Sequence, residues 1–385
     1  MSAKNTPQIH RDRTEAVLAD LEKKMVFIVG PRQVGKTWLT RQIGERFNRT
    51  EYLNYDNPKD RETIQGQGWA RNADLLILDE LHKMKDWKNF LKGVYDTKPE
   101  GLRMLVTGSA RLETYRRMGD SLAGRYFAHH LMPFSLSELE KQGVDTEYAS
   151  VDRLLMRGGF PEPFLVVDAV DADRWRTSYI DSLTRTDVFD IENIHNMRAM
   201  VDVFELLRHK TGSVVSYTGI ARDIGVSPTT VKKYVEVLEA LYIIFLVKPY
   251  THKIARAILK EPKVYFYDTG LVKGDDGVRF ENLVAVSLLK HQAARNDLKG
   301  ERNRLAYVRS KSDKEIDFVL VNSENEPELL VEAKQSETHV APNLVYFAEK
   351  YAVHGVQVVQ YLDHERQATS TVEVRDARGF LSTLS

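Results

Sequence analysis

The chain of 385 residues contains no cysteine. Disulfide bridges, zinc sites built on thiolates and thiol nucleophiles are therefore excluded. The chain also lacks a surplus of charge of either sign, because 55 Lys and Arg residues balance 55 Asp and Glu residues. A neutral chain has no overall field that attracts nucleic acid, so any basic surface must be local.

Long apolar runs are missing as well. The longest, Leu241–Val247, has seven residues, whereas a helix that crosses a bilayer needs about 20. Met1–Arg13 is polar and lacks the apolar core of a signal peptide. We therefore expect a soluble, cytoplasmic protein without a membrane partner. Its length exceeds what one ordinary core accommodates, which predicts two or three domains.

A phosphate-binding loop is the most informative motif that is present. Within Met25–Leu39 an apolar strand ends at Gly30, and the pattern G-x-x-x-x-G-K-T then runs to Thr37 before a helical segment. The glycines allow a tight turn whose N–H groups point at a phosphate, and the helix N-terminus adds its positive dipole end. Lys36 would reach the β- and γ-phosphates, and the Thr37 hydroxyl would coordinate Mg²⁺. We expect ATP with Mg²⁺ to bind at these positions: Gly30, Pro31, Arg32, Gln33, Val34, Gly35, Lys36, Thr37 and Trp38.

Hydrolysis of ATP needs a second element, and Asp74–Glu80 supplies a candidate. Its sequence, DLLILDE, reads as a strand buried on both faces that ends in two acids. In P-loop enzymes an Asp at such a place holds Mg²⁺, and a following Glu orients or deprotonates the attacking water. Asp79 is therefore the predicted Mg²⁺ residue and Glu80 the predicted catalytic base.

A third apolar strand, Arg103–Arg111, ends in small polar residues. Thr107 or Ser109 could then lie beside the γ-phosphate and sense it. Ser and Thr at such places also serve as caps, so this second interpretation stays open.

Four parts follow from the patterns along the chain. Strands and helices alternate over residues 1–130, which is typical of a parallel sheet with crossover helices. Residues 131–211 are helical and polar, and 212–255 have the pattern of a winged helix-turn-helix. Strands return in 256–385, beginning with Lys263–Gly270.

The helix-turn-helix pattern lies in Ser213–Tyr250, with a short apolar helix, a turn at Gly225 and a second helix capped by Ser227. Over Gly212–Lys260 seven Lys and Arg residues outnumber three Asp and Glu residues. Many such modules mediate only protein contacts, so a structural role stays open. If the module binds nucleic acid, these exposed residues would contact it: Thr229, Thr230, Lys232 and Lys233.

The last part carries a possible metal site on two strands. Asp317 lies near the middle of one strand, and Glu332 and Lys334 lie two residues apart on the next, hence on the same face. With Glu281 from a preceding helix, these carboxylates could bind a divalent metal, while Lys334 stabilises phosphate charge or activates water. A hairpin with a solvated charged face is the plain alternative.

This D…E-x-K pattern resembles the PD-(D/E)xK nucleases of the restriction-endonuclease-like fold. With GPRQVGKT, LDE and TGSAR, the chain from about Arg11 to about Lys350 resembles a large family of prokaryotic AAA-type ATPases. The resemblance implies an α/β fold with a P-loop AAA+ core, a helical segment, a winged helix-turn-helix and an α/β nuclease-like domain. In that family a Gly-Arg pair follows the sensor strand, which implies that Arg125, after Gly124, is an arginine finger in cis or from a neighbouring subunit. An ion pair is the alternative role of Arg125, and Trp38 departs from the small hydroxyl residue usual in the family.

Two classes of function remain. The first is an ATPase that acts on DNA by remodelling, translocation or metal-dependent cleavage, where the nuclease-like fold could also grip nucleic acid without cutting it. The second is a nucleotide-dependent switch whose C-terminal domain is a non-catalytic interaction module. Self-association is expected in both, because AAA-type sites usually form between subunits. Stimulation of ATP turnover by DNA would favour the first class.

Overall fold

The computed structural model describes residues 9–108, 122–146, 148–183, 196–251, 261–310, 314–336 and 339–384. The chain forms two compact units, of which the first spans Gln8–Met132 and the second begins at Pro133. None of the helices in these described ranges is both long and apolar enough to cross a membrane.

The first unit is built on a sheet of five parallel strands in the order β2-β3-β4-β1-β5. This confirms the predicted parallel sheet. Its strands are β1 (Met25–Val29), β2 (Thr50–Asn54), β3 (Leu75–Asp79), β4 (Arg103–Gly108) and β5 (Tyr126–His130). Its α-helices are α1 (Thr14–Leu21), α2 (Lys36–Gly44), α3 (Pro58–Gln65) and α4 (Trp87–Thr97).

The apolar runs of β1 and β3 are buried at every position because helices cover both faces of a parallel sheet. Strand β4 lies between β1 and β3. The carboxyl ends of these strands therefore meet at one edge of the sheet, where the phosphate-binding loop, the acidic pair and the proposed sensor residue follow.

The second unit contains an eight-stranded mixed sheet in the order β12-β13-β11-β10-β9-β8-β6-β7. Its strands are β6 (Ile244–Pro249), β7 (Lys263–Phe266), β8 (Arg304–Arg309), β9 (Glu315–Val321), β10 (Pro327–Lys334), β11 (His354–Val359), β12 (Arg366–Gln367) and β13 (Val372–Asp376). Its described α-helices are α5 (Leu136–Lys141), α6 (Val151–Arg157), α7 (Pro161–Leu165), α8 (Ala169–Ser182), α9 (Met197–Arg208), α10 (Tyr217–Ile224), α11 (Pro228–Ala240), α12 (Asp276–Lys299), α13 (Pro342–Tyr351) and α14 (Ala377–Leu381).

Helices α10 and α11 have the predicted turn between them. Gly225 ends α10 in the left-handed region, with φ of 72°. Ser227 accepts a hydrogen bond from the Thr230 N–H, and Pro228 occupies the first position of α11. Each residue suits its place, because glycine adopts positive φ at little cost, serine caps a helix and proline tolerates its first turn.

Strand β7 pairs across a predicted domain boundary. Lys263–Gly270 is predicted to open the last domain, but β7 pairs antiparallel with β6, which lies in the segment predicted as a winged helix-turn-helix. Strand β6 in turn pairs with β8. The sheet thus runs across the boundary predicted at residue 256, and the division of the chain into four domains stays a prediction.

Candidate nucleotide site and carboxylate cluster

The loop between β1 and α2 has the geometry of a phosphate cradle. Gln33 and Gly35 take positive φ values of 57° and 96°, and no side chain caps the N-terminus of α2. The first N–H groups of the helix can therefore bind an anion. The Lys36 ammonium donates to the carbonyl oxygens of Gly30 and Pro31 at 3.0 and 2.6 Å. It is thus held over the loop by its own backbone.

Two features of the structure require glycine at position 30, namely the backbone angle and the lack of space for a Cβ atom. The φ of Gly30 is 143°, and a Cβ atom placed on it would lie 2.2 Å from the carbonyl oxygen of Leu131. Because a real Cβ never comes that close to backbone, no other residue fits without moving the strands. The glycine that opens the motif is therefore fixed by the neighbouring strand as well as by the turn.

Asp79, at the end of β3, accepts hydrogen bonds from three hydroxyl groups. Its Oδ2 accepts from Thr37 Oγ1 at 3.1 Å and from the Tyr52 hydroxyl at 2.5 Å. Its Oδ1 accepts from Thr107 Oγ1. The side chains of Thr37, Asp79 and Thr107 thus meet at the edge where β1, β3 and β4 end.

Tyr52 is a member of this site that the sequence did not reveal. It lies on β2, two residues before Asn54, which is the register partner of Asp79. Burial, and then the hydrogen bond to Asp79, raises the pKa of Tyr52 to about 12. The phenol therefore stays protonated and donates to the carboxylate. Tyr52 reaches Asp79 because β2 is the neighbour of β3. Only the order of the strands in the sheet could have indicated this contact.

Glu80 has a backbone conformation that is rare for its residue type. Its φ is 57°, in the left-handed region, which costs on the order of 1 kcal/mol for a residue with a Cβ. Its Oε2 atom is buried and accepts no hydrogen bond from the described residues. His82 Nε2 and Lys83 Nζ each lie 3.6 Å from that oxygen. A carboxylate oxygen in this state can accept a proton from water.

Mg²⁺ fits the residues that the fold brings together here. A hydroxyl and a carboxylate are hard oxygen ligands of the kind that Mg²⁺ prefers. Thr37 and Asp79 would hold the ion, and the hydroxyl groups that donate to Asp79 bring no positive charge of their own. Bound there, the ion would neutralise charge on the terminal phosphates.

Arg125 lies at the opposite edge of the sheet from the phosphate loop. It precedes β5, and its carbonyl accepts from the N–H of Met25, at the start of β1. The phosphate loop follows the far end of β1, about 16 Å away at 3.3 Å per residue. The role of Arg125 as an arginine finger, in cis or from a neighbouring subunit, stays a prediction. The side chain forms the alternative ion pair, with Nε and Nη2 at 2.8 and 3.0 Å from the two oxygens of Asp96.

The other predicted nucleotide-binding residues have mixed positions. Trp38 is 46% exposed on the first turn of α2. Val34 is buried, and its carbonyl accepts from Arg11 at 2.7 Å. Ser109 lies outside the described residues. The roles of these residues, and of Arg32, stay predictions.

The predicted residues of the C-terminal cluster are also brought together. Strands β9 and β10 form the expected antiparallel pair. Asp317 Oδ2 accepts from the N–H of Ala333 at 3.1 Å, and Glu332 Oε2 accepts from the N–H of Asp317 at 3.3 Å. Lys334 Nζ lies 2.8 Å from Glu332 Oε1, which confirms that the two side chains share a face.

A lysine that was not predicted lies among these acids. Lys263, on β7, has its ammonium 2.7 Å from Glu315, 3.5 Å from Asp317 and 3.7 Å from Glu281. The Tyr265 hydroxyl donates to Glu281 at 2.6 Å. The helical glutamate is thus in contact with β7, which sequence reasoning had placed at the start of the domain without any role.

Burial dominates the electrostatics of this cluster. Burial, and then the Asp317 carboxylate, raises the pKa of Glu281 to about 8 and that of Glu332 to about 7. Burial opposes the charge of Lys263, but Asp317, Glu281 and Glu315 outweigh it and raise the pKa of this lysine. The three acids therefore favour the charged form of Lys263.

The cluster does not fit the metal that was predicted for it. Across the part of the chain that the structure describes, no three His, Asp or Glu side chains are placed to hold a metal ion. The expectation that Glu281, Asp317 and Glu332 form a metal site is not met. The physical reason is that the ammonium of Lys263 already contacts two of these three acids, Glu281 and Asp317.

Only some of the four residues predicted to contact nucleic acid are exposed. Thr229 and Lys232 are exposed, whereas Thr230 and Lys233 are half-buried. Lys253, Arg256 and Lys260, three of the seven basic residues counted over Gly212–Lys260, lie outside the described residues. Most of the basic surplus predicted for this segment therefore has no described position.

Two family models match the chain. Residues 22–140 match a model described as AAA domain. The phosphate loop of the first unit lies within this match. Residues 148–276 match a model described as a domain of unknown function, DUF8612. This second match ends before Glu281, so neither model covers the acids of β9 and β10.

Curated relatives are distant and also differ in length. Proteins Rv2008c of Mycobacterium tuberculosis and Mb2031c of Mycobacterium bovis, both described as uncharacterized, are 28% identical over 251 residues. That alignment covers 64% of this chain and 55% of each relative, so the chain spans about half the length of these proteins. The uncharacterized protein MJ1544 of Methanocaldococcus jannaschii is 23% identical, covering 82% of this chain and 77% of the relative.

The solved structures to which the chain is similar are more distant in sequence. The Walker-type ATPase PABY2304 of Pyrococcus abyssi is 13% identical, with a TM-score of 0.43 over 71% of this chain and 99% of its own. The Aeropyrum pernix ORC1 protein in complex with DNA is 13% identical, with a TM-score of 0.32 over 74% of this chain and 94% of its own. The match to the AAA domain model covers less than half of the chain.

Proposed function

We propose that this protein is a Mg²⁺-dependent ATPase that acts on DNA by remodelling or translocation. The observation that supports hydrolysis is the meeting of Thr37, Asp79 and Thr107 beside a loop that holds Lys36 over its own backbone. A triphosphate in the loop would take the Lys36 ammonium from the carbonyl oxygens that now accept from it. Thr37 and Asp79 would hold Mg²⁺, which would supply positive charge against the phosphates.

Glu80 is the proposed general base. Its buried Oε2 has no hydrogen-bond donor among the described residues, so it can accept the proton of the attacking water. The strained backbone keeps this carboxylate directly beyond Asp79. Thr107, fully buried and bonded to the same aspartate, would link the state of the terminal phosphate to the position of Asp79.

The proposed action on DNA is supported by the turn and the caps of the helix-turn-helix. Thr229 and Lys232 are exposed at the start of α11, which is the part of such a helix that contacts base edges and phosphates. Metal-dependent cleavage is not part of this proposal, because Lys263 lies among the acids that would have to hold the metal.

The decisive experiment compares ATP turnover by the full chain with and without DNA. We expect DNA to stimulate turnover and Lys36→Ala to abolish it in both conditions. Lys23→Ala removes an exposed lysine of the same unit and serves as the matched control, with unchanged turnover. If the wild-type chain folds and hydrolyses no ATP in either condition, the proposed activity is wrong.

A second comparison tests the DNA surface. The double change Lys232→Ala with Lys233→Ala should weaken DNA binding. It should also make the slope of log K against log salt concentration less steep, by the amount expected for the loss of about two phosphate contacts. Lys299→Ala, at an exposed helix end of the same unit, is the control. Unchanged binding by the double variant would remove the helix-turn-helix from the DNA surface.

The nucleotide-dependent switch is the second candidate, and one observation favours it. The described part of Gly212–Lys260 contains four basic and three acidic residues. This is a small net positive charge for a DNA-binding surface. ATP turnover that DNA does not affect, together with nucleotide-dependent self-association in sedimentation, would support the switch over the DNA-dependent enzyme.

A further inference from the structure

We propose that Lys263 is a built-in counter-ion that takes the place of a divalent metal in the carboxylate cluster. The cluster is defined here as Glu281, Glu315, Asp317 and Glu332 with Lys263 and Lys334. In this arrangement the nuclease-like sheet holds its acids with two ammonium groups and binds no divalent ion there.

The position of the Lys263 ammonium carries the first step. It reaches one oxygen each of Glu281, Glu315 and Asp317 within 2.7–3.7 Å. Only 3% of the side chain is exposed. An ion coordinated by both Glu281 and Asp317 would have to lie close to this ammonium, where two positive charges repel strongly in a buried environment.

The cluster is also closed by the elements around it. A Cβ atom on Gly212 would lie 2.9 Å from Glu281 Oε1 and 3.0 Å from Oε2, so backbone packs directly against this carboxylate. The Tyr265 hydroxyl bonds the same group at 2.6 Å. Glu281 thus has backbone, a phenol and an ammonium as neighbours, which leaves little room for a hydrated ion.

The residues that contact the acids come from a different part of the sheet, and this suggests a structural role for the cluster. Lys263 and Tyr265 lie on β7, which is paired with β6 and not with β9 or β10. The ion pairs from Lys263 to Glu315 and Asp317 therefore fasten the β6–β7 hairpin to the strand that carries the acids. The acids that resemble a catalytic site would serve to fix this hairpin.

Binding of Mn²⁺ to the nucleotide-free full chain tests the proposal directly. Wild-type protein should show no Mn²⁺ site that depends on Asp317. Lys263→Met keeps the length of the side chain and removes its charge. This variant should gain one Mn²⁺ site, and its affinity for Mn²⁺ should be at least about tenfold higher than that of the wild-type chain. Adding Asp317→Asn should remove that site. Lys334→Met loses the same charge at a side chain that is 37% exposed, and it should gain no site.

Thermal unfolding gives a second measurement. Loss of the Lys263 ammonium leaves buried acids without their cation and should lower Tm on the order of 10 °C in EDTA. Saturating Mn²⁺ should restore much of that loss in Lys263→Met but leave the wild-type Tm unchanged. Lys263→Arg keeps the charge and should resemble the wild-type chain in its indifference to Mn²⁺.

Two results would overturn the proposal. One is a wild-type Mn²⁺ site that Asp317→Asn abolishes, and this result does not depend on whether any Lys263 variant folds. The other is a folded Lys263→Met protein that neither binds Mn²⁺ nor gains Tm from it. Neither measurement uses ATP or DNA, so failure here leaves the proposed ATPase untouched, and failure of the ATPase leaves this inference untouched.

Discussion

The two acidic sites of this protein satisfy their carboxylates in opposite ways. Asp79 is surrounded by the hydroxyl groups of Thr37, Tyr52 and Thr107. Hydroxyl groups satisfy the oxygens of a carboxylate without bringing a positive charge, which suits the Mg²⁺ site proposed there. In the carboxylate cluster, Lys263 and Lys334 satisfy the acids by neutralising them. In this protein, the acid proposed to hold Mg²⁺ is the one whose hydrogen-bond donors are neutral hydroxyl groups.

The largest expected effect concerns Arg125, the residue predicted to bring a second positive side chain, after Lys36, to the nucleotide site. Arg125→Ala should reduce ATP turnover by about 10³–10⁵-fold if the residue acts across a subunit interface. An equimolar mixture of Arg125→Ala and Lys36→Ala proteins should then recover activity, because an intact Arg125 completes an intact phosphate loop on another chain. Steady-state turnover of the mixture is the measurement.

The control for this mixture is each variant alone at the same total concentration. A mixture that stays inactive while Arg125→Ala alone is inactive would contradict action between subunits. Recovery would sharpen the contrast, because the nucleotide site would depend on another chain whereas the carboxylate cluster contains its own cations.

Glu80→Gln should have the next largest effect. Without a base to accept the proton of water, kcat should fall by about 10²–10⁴-fold, while ATP affinity measured by calorimetry stays within a few-fold of wild type. Glu100→Gln, at an exposed position of the same unit, should change neither quantity. Turnover that survives in Glu80→Gln would assign the base to another residue.

Tyr52→Phe should have a smaller effect on the same site. The change removes one of three donors to Asp79 and should raise the Mg²⁺ concentration for half-maximal turnover several-fold, with a smaller change in kcat. The half-buried Tyr95→Phe in the same unit is the control. A large fall in kcat with an unchanged Mg²⁺ requirement would show that Tyr52 does not orient the aspartate.

The smallest effect concerns the pH dependence of stability. The pKa of Glu281 is raised by burial and Asp317 to about 8, so the folded state keeps a proton that the unfolded state loses near pH 4.5. The free energy of unfolding should therefore fall as pH rises from about 5 to about 8. In Glu281→Gln this fall should be smaller by on the order of 1 kcal/mol, as measured by urea titration at both pH values. An identical fall in both proteins would contradict the raised pKa.

Local motifs were the part of the site that the sequence could predict. The phosphate loop is contiguous, so its glycines, Lys36 and Thr37 could be placed from spacing alone. Asp79 and Thr107 could be predicted because each ends a strongly apolar run, and strand ends in a parallel sheet share an edge. The pairing of Asp317 with Glu332 followed from a hairpin of suitable length.

Residues that act through neighbouring strands could not be found in this way. Tyr52 reaches Asp79 because β2 lies next to β3, and Lys263 reaches Asp317 because β7 joins the same sheet through β6 and β8. Neither strand order follows from hydrophobic pattern, since every buried strand of a sheet reads alike. The position of Arg125 was missed for the same reason, because a sequence does not say at which end of a sheet a residue lies.

The sequence by itself determined the phosphate loop, the parallel sheet around it and the presence of acids on adjacent strands, because these depend on contiguous residues and on the period of the chain. Only the tertiary structure decided what each acid contacts. That choice separates the two sites, since the charge a carboxylate keeps for a metal is set by partners that are distant along the chain.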